Sequence, residues 1–217
     1  MEIKILYADR DIAVCLKPVG LNSENEGMPA LLSGQLDKKE VFCVHRLDMA
    51  VGGVMVYALS KKAAAGLSAQ IASQKMKKEY FAIVQGAPEE KRGILRDLLF
   101  RDKGRNKSYV VKRKRAGVRE AELEYECIES KADKSLIHIT LHTGRSHQIR
   151  VQFSSRKMPL LGDVKYGSSY RDCPIALWSG ALGFIHPISG ESMHFEQLPE
   201  AEHYWKEFDY ITNGGTA

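Results

Sequence analysis

The 217-residue sequence is poor in cysteine, with four at positions 15, 43, 127 and 173 and no C-x-x-C pair. A chain of this length buries enough surface to fold without staples, so neither disulfides nor a cysteine zinc centre is expected. Long hydrophobic runs are missing as well. The longest, such as 54–59, fall far short of the ~18 apolar residues of a membrane helix, which excludes a helical span. The N-terminal segment meets Asp9 before any stretch of signal-peptide length has formed, so a cytoplasmic protein is expected. There is no Gly/Ser- or Pro-rich linker and no internal repeat, which predicts one domain over 1–217. Phosphate-cradling glycine loops, the G-x-G-x-x-G turn, the G-x-S-x-G elbow and the H-E-x-x-H helix are all absent, which removes most support for nucleotide-driven, serine-hydrolase and zinc-hydrolase chemistry.

What is present reads as a folded α+β chain. Hydrophobic residues make up 44% and charged residues 27%, near the globular average. Ile3–Ala8 and Ile12–Leu16 read as a hairpin, and 54–59 as a buried strand followed by a helix capped at Ser60 and running to Lys75. Glu79–Val84, Glu120–Cys127 and Ser135–His142 alternate as strands. In the second of these, Ala121, Leu123, Tyr125 and Cys127 share one face and four glutamates the other. His147–Ser154 and Pro199–Ile211 read as helices. The fold class is therefore α+β, with a mixed, largely antiparallel sheet and flanking helices. His138 and His142 share a strand face, which reads as a polar face above an apolar one, and no metal is expected.

Net charge is +5, and the excess is concentrated. Between Arg101 and Arg119 nine lysines and arginines, Lys112-Arg113-Lys114-Arg115 among them, face the single acid Asp102. That stripe is either a phosphate-tracking surface or a solvated loop or hairpin. Two further clusters stand out. His45-Arg46-Leu47-Asp48 sets ionisable groups between apolar segments, where a partly desolvated carboxylate needs a compensating cation. Residues 141–150, LHTGRSHQIR, turn at Gly144 into a helix and gather two arginines where phosphate or carboxylate can be received. Brought together by the fold, Asp48 and Arg150 would form a pair that keeps an ionised carboxylate available as a nucleophile.

These segments, taken with others, resemble the RluA-like pseudouridine synthases over nearly the whole chain. The resemblance rests on Lys17-Pro18-Val19-Gly20, His45-Arg46-Leu47-Asp48, Lys78-Glu79-Tyr80 leading to Gly86, residues 143–150, Gly162–Gly167 and Phe184-Ile185-His186-Pro187, in family order and spacing. It implies a pseudouridine synthase fold with a central active-site cleft, acting on ribosomal or transfer RNA without metal or cofactor; a monomer with no DNA or membrane partner is expected. It implies Asp48 as the catalytic carboxylate, Arg150 as its ion-pair partner and Tyr80 as the aromatic against the target base. Arg46 would enter the space vacated by the flipped nucleotide. Arg145 and His147 would touch RNA backbone or shape their turn, and Lys112–Arg115 would hold RNA. After H-R-L-D the family continues x-x-T-S-G, whereas this chain has Val51-Gly52-Gly53, for which a looser loop is expected. The chain opens at the catalytic segment, so no N-terminal RNA-binding domain is expected. A catalytically silent RNA-binding module with the same fold is the alternative.

Overall fold

A computed structural model describes residues 1–215. In chain order its strands and helices are β1 (Ile5–Ala8), β2 (Ile12–Lys17), α1 (Met28–Gln35), β3 (Phe42–Cys43), β4 (Gly52–Ala58), α2 (Lys61–Ala72), β5 (Lys77–Gln85), β6 (Arg92–Asp102) and β7 (Lys107–Val111). They continue with β8 (Val118–Lys131), β9 (Lys134–Leu141), α3 (Gln148–Ser154), β10 (Leu177–Ile185), β11 (Ser192–Glu196) and α4 (Asp209–Thr212). The chain divides into two compact units, Met1–Lys78 with Trp178–Gln197, and Glu79–Leu177 with the chain from Leu198 on.

In the first unit β4 is central and buried at every position. The antiparallel β2 lies on one side, and on the other lie β10, parallel at Gly52 and Gly53, and the short antiparallel β3. The β10–β11 hairpin and β1 complete this mixed sheet. Ile12, Val14, Val54 and Val56 pack with Ala63 and Leu67 of α2 and with Leu182 and Phe184 of β10. Ser60 caps α2, its hydroxyl accepting from Ala63 N at 3.2 Å. The helix stops at Ala72, short of Lys75. The Ser73 hydroxyl donates to Ala69 O, and Gln74 takes a left-handed φ of 56°, which together close the last turn. His186 is a fold-supporting residue: its Nδ1 accepts from the Ile188 and Ser189 amides, so its Nε2–H donates to Asp9 at 2.9 Å.

The second unit is antiparallel in the order β5-β9-β8-β6-β7, counted for β5 from Glu79. On β8, Ala121, Leu123, Tyr125 and Cys127 are buried, as the alternation predicts. Phe81 and Ile83 of β5 meet Leu136, Leu161, Phe208 and Ile211 in a core. The long C-terminal helix expected over Pro199–Ile211 does not form. A single 3-10 turn at Trp205–Glu207 is followed by an extended Phe208 and the four-residue α4. Phe208 is fully buried, and the extended backbone that seats its ring breaks the helical run. The four cysteines are free thiols.

Candidate active site

The segment that carries Asp48 is fixed from below. Leu47 is buried, and its backbone N–H donates to the Ser23 hydroxyl at 3.1 Å while its carbonyl accepts from that hydroxyl at 2.8 Å. The buried Tyr57 hydroxyl donates to Ser23 O at 3.0 Å, so Ser23 ties the loop to β4. His45 Nε2 accepts from Val56 N at 3.2 Å, and burial, with the charge of Lys78, pushes its pKa down to about 3. It is a neutral structural imidazole. With Leu47 pinned inward, Arg46 is exposed and among the described residues bonds the half-exposed Glu24 at 3.4 Å, a screened contact that is readily given up. Asp48 is half-buried, and its carbonyl accepts from Val51 N at 2.9 Å, closing a tight turn with Met49 at its first corner.

Beneath this turn lies Lys17, with no exposed surface. Its ammonium donates to the carbonyls of Leu21 at 2.7 Å, Pro18 at 2.9 Å and Met49 at 3.3 Å. Burial lowers its pKa to about 8, and the charge of Asp48 acts in the opposite sense. Asp48 thus has a buried cation as an electrostatic neighbour within its own unit.

The T-G-R-S-H-Q-I-R segment interlocks in the second unit. The Gln148 side chain accepts from the Thr143 hydroxyl at 2.8 Å and from Arg145 N at 3.0 Å, and donates to Glu122 O at 3.1 Å. His147 precedes α3 in a left-handed conformation, φ 54°, with its Nδ1 2.9 Å from the Tyr166 hydroxyl. Arg150 is buried and donates through Nε and Nη2 to the two oxygens of buried Asp163, at 2.6 and 2.8 Å. Its guanidinium also lies 5.1 Å from the Tyr166 ring centroid. Tyr80 is buried on β5 opposite Ile139, and strand alternation places it on the face away from Phe81.

The RNA pseudouridylate synthase family model matches residues 11–155. The chain belongs to the RNA pseudouridylate synthase family. It is 36% identical over 202 residues to the dual-specificity RNA pseudouridine synthase RluA of Escherichia coli, covering 88% of this chain and 91% of that one. It is 34% identical over 225 residues to the ribosomal large subunit pseudouridine synthase D of Zymomonas mobilis, covering 92% and 70%. Its fold is similar to that of human RNA pseudouridylate synthase domain containing 1, with a TM-score of 0.78 at 21% identity over 94% of this chain and 85% of that one.

For an RNA pseudouridylate synthase, the Val51-Gly52-Gly53 segment is better fixed than its glycines suggest. Val51 is buried, Gly52 pairs with Trp178, and Gly53 pairs with both Lys17 and Ser179. A Cβ on Gly53, at φ +123°, would lie 2.3 Å from Ser179 O. A Cβ on Gly52 would lie 2.6 Å from a Trp178 ring carbon. The space of the family's serine side chain is filled here by an indole, whose N–H donates to Gln197 O at 2.7 Å. The loop is not loose.

The basic stripe is a β6–β7 hairpin followed by an exposed connection carrying Lys112–Arg115. Part of it is engaged internally: Arg105 with Asp102, Lys114 with Glu120, and Arg115 over Phe100 at 4.9 Å. Arg145 turns back to donate to Glu120 O at 2.8 Å. His138 and His142 pair with Glu79 and Glu124, at 2.9 and 3.8 Å. Among the described residues no cluster of three metal-ligating side chains occurs.

Four residues of this machinery carry no role in the sequence reading: Lys17, Ser23, Asp163 and Trp178. Two had a legible signal. Lys17 ends the apolar Ile12–Leu16 strand at a proline, and Asp163 follows Leu160-Leu161-Gly162, so each is an ionisable group at the edge of a buried run.

Proposed function

We propose that this pseudouridine synthase converts uridines of ribosomal or transfer RNA with Asp48 as the catalytic carboxylate, and that the whole chain acts as one catalytic domain, a monomer in the cytoplasm that takes RNA rather than DNA. The observation that carries the reading is the seating of Asp48 on a turn anchored by Leu47 and Ser23 and underlain by the buried ammonium of Lys17. The names of the similar enzymes from E. coli and Z. mobilis support an RNA substrate. No described helix is long and apolar enough to cross a membrane.

In this reaction the N1–C1′ glycosidic bond breaks, the uracil turns, C5 bonds to C1′, the C5 proton is lost to solvent, and N1 takes up a proton, so that product and substrate are isomers. A stacked base is unreachable at that bond, so extrusion precedes chemistry. Arg46, exposed and weakly held, is suited to fill the vacated space by planar stacking and phosphate pairing. Tyr80 offers an aromatic face to the unstacked base. Arg150, which the resemblance pairs with Asp48, is held in one orientation by its clamp to Asp163 and Tyr166. Arg145, His147 and the exposed Lys112–Arg115 connection contact the RNA backbone. The test is tritium release from unmodified transcripts labelled at uracil C5. Asp48→Asn is expected to abolish release while leaving folding and RNA affinity near wild type; surviving turnover would remove Asp48 from its role.

A further inference from the structure

Two turns meet next to Asp48, and each presents an apolar side chain to solvent. Val19 stands on the turn that follows Lys17-Pro18 and is 48% exposed, and Met49, the residue after Asp48, is 63% exposed. Single exposed apolar residues are ordinary on protein surfaces. These two differ in how firmly their backbone is held. Gly20 N donates to Met49 O at 2.8 Å, Val51 N closes the Met49 turn onto Asp48 O, and the Lys17 ammonium bonds carbonyls on both turns. Gly20 sits at φ +87°, a conformation that gives the first turn its tight return. The result is a rigid double turn whose apices are apolar, with the carboxylate of Asp48 and the exposed guanidinium of Arg46 on the same segment as Met49.

We propose that Met49, flanked by Val19, is a positioning wedge: it packs on the nucleobase next to the target uridine and holds open the gap left by the extruded base. This rests on the assignment of Asp48 under the proposed function. A base whose neighbour has left the stack exposes an apolar face to water, and apolar side chains that enter base steps in nucleic-acid complexes cover such a face. Arg46 has the charge to answer phosphates, and Met49 brings what Arg46 lacks, an unhydrated and polarisable side chain that adapts to purine or pyrimidine. A wedge on a pinned backbone costs little ordering entropy at the moment of binding.

The experiment compares two RNAs. Unmodified ribosomal and transfer RNA transcripts tritiated at uracil C5 identify a uridine that the wild type converts. That uridine is then presented in a synthetic RNA with the target and its neighbours paired, and in another in which mismatches have already opened them. For Met49→Ser the ratio of kcat/KM on the open RNA to that on the paired RNA is expected to rise about tenfold over wild type, and Met49→Leu is expected to restore the wild-type ratio. Ile188→Ser, which removes another exposed apolar side chain of the same unit, is the control and keeps the wild-type ratio. An unchanged ratio for Met49→Ser, or an equal rise for Ile188→Ser, overturns the wedge while leaving the enzyme reading intact. No turnover of any transcript by wild type overturns both.

Discussion

Replacing Lys17 by Met separates the cost of a buried ammonium from its benefit. Methionine has nearly the same length and no donors, so the Pro18 and Leu21 carbonyls lose theirs, while Met49 O keeps Gly20 N. A buried acceptor left without a donor costs ~1–3 kcal/mol. Against this, the fall of the Lys17 pKa from 10.5 to about 8 means that below pH 8 the folded protein bears a penalty of ~3 kcal/mol for keeping the charge inside. At pH 7 the two terms nearly offset, so the informative quantity is the pH dependence. Between pH 8 and 10.5 the unfolded chain still binds the Lys17 proton and the folded chain releases it, so wild-type stability rises with pH across that window. The variant lacks this term, and groups common to both proteins cancel in the difference. Urea unfolding of both proteins at pH 7, 8, 9 and 10 is therefore expected to show wild type gaining on Lys17→Met by up to ~1.4 kcal/mol per pH unit above pH 8. A difference independent of pH would refute the burial of a charged lysine. Tritium release by the variant adds a second readout, expected to fall because Asp48 loses its cationic neighbour.

Asp163→Asn strips the buried Arg150 guanidinium of its counterion and is expected to cost ~3–5 kcal/mol in urea unfolding, the usual penalty for breaking a buried pair. A loss below ~1 kcal/mol would mean that the pair is solvated. Gly52→Ser pushes a Cβ into the Trp178 ring and is expected to cost ~1–3 kcal/mol. Combined with Trp178→Ala it should cost clearly less than the sum of the two single changes, and strict additivity would sink the steric account. Neutralising Lys112, Arg113, Lys114 and Arg115 together is expected to weaken RNA binding and to flatten the slope of log affinity against log salt by up to ~3; an unaltered slope places the stripe away from RNA.

Much of this was open to a reader of the sequence, for physical reasons. The β8 strand announces itself because its acids alternate strictly with apolar residues, and α2 because a serine cap precedes helical spacing. The H-R-L-D and T-G-R-S-H-Q-I-R segments stand out because ionisable groups rarely interrupt apolar runs without a use. Other elements were masked by composition. The α1 helix contains Pro29 and Gly34, and β10 contains Gly180 and Gly183, residues that read as breaks although a proline at a helix start and glycines in a paired strand cost little there. The C-terminal aromatics share a helical spacing with real helices, yet Phe208 is spaced to reach a core rather than to line a face. Partners distant in sequence were illegible in principle. Nothing local tells Arg150 that Asp163 holds it, or Gly52 that Trp178 leans on it.

That last contact bears on how sister enzymes are recognised. Scored column by column, Val51-Gly52 counts as two losses from the motif and invites the conclusion that the loop has decayed. Scored as volume, the glycine at 52 and the tryptophan at 178 are one unit across two strands, because the indole on β10 takes the space that a side chain on β4 would need. Chains of this family carrying a bulky residue at the position of Trp178 should therefore keep glycine at the position of Gly52, and the pair should change together. A motif search that reads these positions jointly would retain enzymes that one demanding the serine discards.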